Sequence, residues 1–201
     1  WRNLSVAAGP AAVTTFGAGA ERKIRADHEV LEDERWSLTN QSRGLRAKAA
    51  AQLGTSGAGN HFAELVVGER IGADPTVPER FCALLTHSGS RGVGYAIANH
   101  YARLAAQETA RRAKVPKQYE WLDLDSEAGQ EYLGLMQLAG AFAKANHDVI
   151  HAAFARRSGL TPVRHIENFH NFAWIEDGLV VHRKGATPAG KGVLGIIPGS
   201  M

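Results

Sequence analysis

Phe172-Ala173-Trp174-Ile175-Glu176-Asp177-Gly178-Leu179-Val180-Val181-His182-Arg183 is the stretch that decides the fold class. Two β-rich runs flank Asp177-Gly178, and Asp-Gly is a pair that enters the left-handed conformations a type I′ hairpin turn requires. The stretch predicts antiparallel strands over 172–176 and 179–183. Upstream, residues 130–157 carry Leu133, Leu138, Phe142 and Ile150 at helical spacing. Arg156 and Arg157 suit the negative end of that helix, and Gly159 suits its stop. Residues 95–113 repeat the pattern through Ile97, Tyr101, Leu104 and Ala105 and end before Pro116. The apolar run 81–86 has strand length and predicts a buried strand. Residues 61–67 read as a strand leaving a glycine loop and ended by Gly68, with a further loop from Gly72 to Pro78. Residues 10–53, rich in Ala, Glu, Lys and Arg, suggest one or two helices of low definition. Strands and helices alternate without a regular βαβ rhythm, so the class is α+β, with mixed layered β-sheets flanked by helices.

The length of 201 residues allows one domain, or one and part of another. With 44% hydrophobic and 21% charged residues, wholesale disorder and fibrous repeats are excluded. The net charge of +3 is too weak by itself to assign a nucleic-acid partner, and the alternating charges of Glu29 to Arg35 read as a solvated face. No apolar run reaches the roughly 18 residues of a membrane span, so a soluble protein is expected. The single cysteine and the lack of a signal peptide suit a reducing compartment, the cytoplasm. Cys82, inside the run 81–85, is expected to be a buried, inert thiol. The chain opens at Trp1 and closes an apolar stretch at Met201, which leads us to expect a piece of a longer protein.

Glycine is over-represented, 22 residues of 201 or about 11% against a usual value of about 7%, and the glycines cluster beside histidines. His61 follows Gly54-Thr55-Ser56-Gly57-Ala58-Gly59-Asn60; His87 precedes Ser88-Gly89-Ser90-Arg91-Gly92; His170 sits in Asn168-Phe169-His170-Asn171-Phe172. Glycine lets a backbone approach an anion, a loop running into a helix N-terminus aims amide N–H groups at it, and Arg91 adds a bidentate fork. An imidazole at the strand end can hold a metal beside that anion. Tight turns with incidental histidines remain the plain alternative, because separations of 26 and 83 residues are unlike the compact pairs of zinc fingers. The basic turn 182–187 and the turn 195–201 can also cradle phosphate, or be ordinary turns. His147 and His151, at i and i+4, share a helix face, but Asp148 stands where a metalloprotease needs the longer glutamate, so a polar helix face is expected. His28, His100 and His165 have no supporting context.

Five strings in order resemble the RtcB RNA ligases: Gly-Thr-x-Gly-x-Gly-Asn-His-Phe-x-Glu at 54–64, His-Ser-Gly-Ser-Arg-Gly at 87–92, His-Asn at 170–171, His-Arg-Lys-Gly-Ala-Thr at 182–187 and Pro-Gly-Ser-Met at 198–201. The resemblance covers roughly residues 45–201 and implies a single partial catalytic domain across 1–201, with an RtcB-like fold and no second domain. It implies an enzyme that uses GTP and two manganese ions. Such enzymes join RNA 3′-phosphate or 2′,3′-cyclic phosphate ends to 5′-hydroxyl ends through a guanylylated histidine, as in tRNA splicing and RNA repair. Carried over, His61, His87 and His170 match manganese ligands. Asn60, His61, Phe62, Ala63 and Glu64, the pair His170 and Asn171, and Pro198, Gly199, Ser200 and Met201 match positions that contact the guanylate or its phosphate. Arg91 and Lys184, with Asn60, match residues serving the joining site, whereas His182 matches a position with no ligand role and reads as strand packing.

Three departures stand out. The family's aspartate and cysteine metal ligands lie upstream of the glycine loop, and no such motif occurs here; Cys82 is not in its place. The guanylylated histidine belongs to a His-Gly-Ala-Gly-Arg string that this sequence lacks, so the 201 residues alone are expected to form no GMP adduct. Asn146-His147 resembles an Asn-Arg position with the arginine replaced. Imidazole and oxygen donors suit manganese or zinc. The rival functions are a phosphate- or nucleotide-binding module without ligation and a metal-dependent phosphoesterase. All of these readings expect His61, His87 and His170 to share one cation cluster.

Overall fold

The computed structural model describes residues 26–57 and 59–197, which fall into two compact units, Trp1–Ser158 and Gly159–Met201. In the first, two 3₁₀ turns, Glu29–Glu32 and Glu34–Ser37, precede helix α1, Asn40–Gln52. Strands β1, Phe62–Glu69, and β2, Arg80–His87, follow, then helices α2, Arg91–Ala110, and α3, Glu127–Ser158. The second unit holds strands β3, Asn171–Glu176, and β4, Leu179–Lys184. Helices beside two antiparallel two-stranded sheets make this an α+β fold.

Local chemistry explains the element ends. Thr39 caps α1 by accepting from Ser42 N–H at 3.0 Å, and Ser42 Oγ accepts Thr39 N–H at 3.0 Å, a reciprocal box that satisfies two end groups. His28 caps the first 3₁₀ turn, its Nδ1 accepting Val30 N–H at 3.1 Å, so this histidine is structural. The i, i+4 row Val93, Ile97, Tyr101 and Ala105 of α2 is buried, and its first three residues share one core with Leu135, Leu138 and Phe142 of α3. Trp36, beneath α1, sets its ring edge-on to Phe142 with centroids 6.3 Å apart, while its indole N–H donates to the Val30 carbonyl at 2.7 Å. Each fully buried large side chain here contributes about 1.5–3 kcal/mol through the hydrophobic effect.

The Asp177-Gly178 turn has φ of 49° and 78°, the left-handed pair expected, and the hairpin register places Glu176 opposite Leu179. Arg183 grips Glu176 with two hydrogen bonds, at 2.7 and 2.8 Å, and lies 5.0 Å over the Trp174 ring.

Four expectations change. α2 begins at Arg91, four residues early, because the His87–Ser90 turn delivers the chain straight into it. β1 runs through Gly68 to Glu69, where the Phe81 ring fills the space a side chain would need. β2 is only half-buried, and Cys82 is exposed: a two-stranded sheet alternates its side chains, and Cys82 shares the face of exposed Arg80. His182 is likewise exposed on β4 instead of packed, since its hairpin is also two-stranded. Of the region 10–53, residues 10–25 lie outside the described residues.

Candidate functional site

The β1–β2 ladder pairs Phe62 with His87, which brings the glycine loop before β1 to the turn after β2. There the His61 and His87 rings meet edge to face, with centroids 5.5 Å apart, and Phe62 packs on His87 at 5.7 Å. Arg91, first residue of α2, reaches back into this corner. Its Nε donates to Thr55 Oγ1 at 3.0 Å and its Nη1 lies 3.2 Å from His61 Nδ1. A guanidinium only donates, so Nδ1 is the acceptor and the neutral His61 ring carries its proton on Nε2.

Arg91 holds φ at 55°, a left-handed conformation that costs a non-glycine residue about 1–2 kcal/mol. Gly57, at φ 109°, roofs the guanidinium: a Cβ there would sit 2.0 Å from Arg91 Nη1 and 2.7 Å from His61 Nδ1. The glycine-rich loop is thus needed here for close approach as well as for its turn.

Asn146, on α3, fastens the corner from below. Its Oδ1 accepts Gly54 N–H at 2.6 Å and Thr55 N–H at 3.1 Å; its Nδ2 donates to the Thr55 carbonyl at 3.0 Å and to Ser88 Oγ at 3.1 Å. The carboxamide is fully buried and its four bonds satisfy it. The next residue, His147, accepts Ser88 N–H on Nε2 at 3.3 Å, and one turn later His151 Nε2 lies 2.9 Å from Thr86 Oγ1. The i, i+4 pair therefore braces β2 and its turn, which is more than the polar helix face expected. Sequence reasoning missed Asn146 and His147 as site residues; the only signal was the Asn146-His147 resemblance to a family pair.

The electrostatics are those of an uncompensated cationic corner. Burial first, then the Arg91 charge, then the imidazoles of His87 and His147 hold His61 below the ordinary imidazole range. Arg91 is half-buried, and among the described residues no carboxylate pairs with it. A half-buried pair of imidazoles suits a divalent cation that takes nitrogen donors, and a guanidinium with no carboxylate partner among the described residues suits an anion. A metal at His61 Nδ1 would compete with Arg91 for the same lone pair. Among the described residues no group of three or more His, Cys, Asp or Glu side chains comes together to hold a metal, so this corner presents two imidazoles and not a complete ligand set.

The remaining expected residues are placed as follows. Asn60 and Glu64 are exposed, Asn60 in the turn before β1 and Glu64 opposite Leu85; Ala63, half-buried, pairs with Thr86. In the second unit, Asn171 Oδ1 accepts Gly185 N–H at 3.0 Å and lies 3.4 Å from Lys184 Nζ, while the His170 carbonyl accepts Ala186 N–H at 3.2 Å. Asn171 thereby shapes the basic glycine turn, leaving Lys184 exposed. Pro198, Gly199, Ser200 and Met201 lie outside the described residues. No helix among the described residues is long and apolar enough to cross a membrane.

The family described as "tRNA-splicing ligase RtcB" matches residues 6–201. A tRNA-splicing ligase RtcB of Nanoarchaeum equitans is 34% identical, aligned over 92% of this chain and 46% of its own length. That of Thermococcus kodakarensis is 32% identical over the same shares, 92% and 46%. That of Pyrococcus horikoshii is 32% identical over 86% of this chain and 23% of the relative. The chain thus spans less than half the length of these relatives.

Proposed function

The chain belongs to the RtcB family, and on that premise we propose that the protein carrying it is an RNA ligase. It joins RNA 3′-phosphate or 2′,3′-cyclic phosphate ends to 5′-hydroxyl ends, in tRNA splicing or RNA repair, using GTP and manganese. The observation that carries this reading is the corner itself: a half-buried Arg91 with no carboxylate partner among the described residues, beside paired imidazoles and against a glycine that leaves no room for a side chain over its guanidinium. A desolvated guanidinium in that setting takes a phosphate, because a charge-assisted fork offsets the burial of the charge.

His61 and His87 are the residues that would hold manganese in this unit, and His170 is proposed as a further ligand from its match to the family. When bound, the metal supplies Lewis-acid polarisation of a phosphoryl oxygen. The chain's own groups do the rest. Arg91 holds the RNA phosphate, Lys184 serves the joining phosphate, and Asn60 through Glu64, Asn171 and Pro198 to Met201 are assigned to the guanylate or its phosphate by their match to the family. The guanylate-accepting histidine sits in a His-Gly-Ala-Gly-Arg string in this family; the 201 residues hold none and are read as incompetent for the first step by themselves. One cysteine and an RNA substrate agree with a cytoplasmic enzyme.

The test is strand joining by the protein at family length, with a 3′-phosphate RNA and a 5′-hydroxyl RNA. Joining that requires GTP and manganese, and that disappears in His87→Ala and in Arg91→Ala, is the expected result. Release of phosphate without GTP would make the protein a phosphoesterase. Tight RNA-end binding without joining would make it a binding module. Either outcome overturns the proposal.

A further inference from the structure

We infer that Asn146 is a positioning residue: its buried carboxamide ties the loop that delivers His61 and Arg91's anchor Thr55 to the turn that follows His87, and so sets the geometry of the imidazole pair. The β1–β2 ladder cannot do this alone. It fixes Phe62 opposite His87, but His61 lies one residue outside the strand and takes its course from the loop 54–60.

That loop leaves α1 through Leu53 and Gly54, the latter at φ 76°, and among the described residues the side chain that hydrogen-bonds the backbone of Gly54 and Thr55 is Asn146, through both N–H groups and the Thr55 carbonyl. The same amide nitrogen reaches Ser88 Oγ, next to His87. From Thr55 the chain of contacts continues through Arg91 Nε to Arg91 Nη1 and His61 Nδ1. One residue on α3 therefore holds both flanks of the site, and its neighbour His147 holds Ser88 N–H as well. A carboxamide is needed because two acceptor and two donor bonds are made at once; a carboxylate lacks the donors and a hydroxyl lacks the reach. Ser88, also fully buried, is the matching post on the other side. For function the inference rests on the reading of His61 and His87 as a cation-holding pair, but its geometry does not.

The experiment uses the full chain with labelled histidine and two readouts: nuclear Overhauser contacts between the His61 and His87 rings without metal, and manganese affinity by electron paramagnetic resonance. The variants are Asn146→Ala, Ser88→Ala, and Leu138→Ala, the last removing a buried side chain of the same helix. We expect the ring contacts to be lost or at least halved in Asn146→Ala and weakened in Ser88→Ala, and manganese to bind about 10-fold more weakly, in line with the effect of groups that orient metal ligands. Leu138→Ala lowers the melting temperature and leaves both readouts as in the parent. Unchanged ring contacts in folded Asn146→Ala would overturn the inference. If that variant does not fold, Ser88→Ala decides, and parental contacts there overturn it equally. A parent chain that shows the ring contacts but binds no manganese would sink the metal reading and leave the positioning role standing.

Discussion

Replacing Gly57 by alanine probes how the glycine loop and Arg91 are coupled. The new Cβ would lie 2.0 Å from Arg91 Nη1 and 2.7 Å from His61 Nδ1, distances no packed methyl group tolerates. At φ 109° the alanine also takes a conformation costing about 1–2 kcal/mol, partly offset by about 0.4–1 kcal/mol from its stiffer unfolded chain. If the guanidinium is evicted, its bonds to Thr55 and His61 go too, at about 0.5–1.5 kcal/mol each. The sum is a loss of roughly 2–3 kcal/mol. The eviction part has a signature: in an Arg91→Ala background the same Gly57→Ala change should cost only the backbone share, about 1 kcal/mol or less. Equilibrium urea unfolding of the parent, the two single variants and the double variant measures this cycle. Additivity within about 0.5 kcal/mol would refute the claim that Gly57 acts by giving Arg91 its place.

Acid should weaken the first unit. His61 is held below the ordinary imidazole range by burial and by the Arg91 charge, so the unfolded chain takes up the proton first; stability is complete above about pH 6.5 and falls as the pH drops through the lowered value. Urea midpoints from pH 7.5 to 5 should decline in the parent and decline less in His61→Asn, and a parent midpoint that rises toward acid contradicts the assignment. Phe142→Ala empties the space against Trp36 and should destabilise by about 3–5 kcal/mol with a quenching-sensitive change in Trp36 emission; a loss below about 1 kcal/mol in the same urea titration argues against this core. Cys82, exposed on β2, should react with a thiol reagent in the native chain at nearly the rate of the unfolded chain, and protection of a hundredfold or more would show that its face is covered.

The local signals in the sequence were strong where one residue type meets one conformational demand. Asp177-Gly178 specified its hairpin because so few pairs accept two positive φ angles, and the 97, 101, 105 row marked the α2 face because a helix repeats its exposure every three to four residues. The same reasoning failed at Cys82, since an apolar run states that burial is favourable without stating what arrives to bury it. It also failed at His182, whose exposure depends on how many strands its sheet has.

The five ordered strings were enough, by themselves, to determine the family and to nominate His61, His87 and Arg91, because close backbone approach, imidazole and guanidinium each leave a mark in residue type. Only the tertiary structure decided that His61 and His87 face each other across the end of a ladder, that Arg91 turns inward to His61 instead of outward, and that Asn146, remote from all of them in sequence, ties the corner together. The reason is physical: hydrogen bonds between groups some ninety residues apart depend on how α3 packs beneath two loops, and no local propensity encodes that distance.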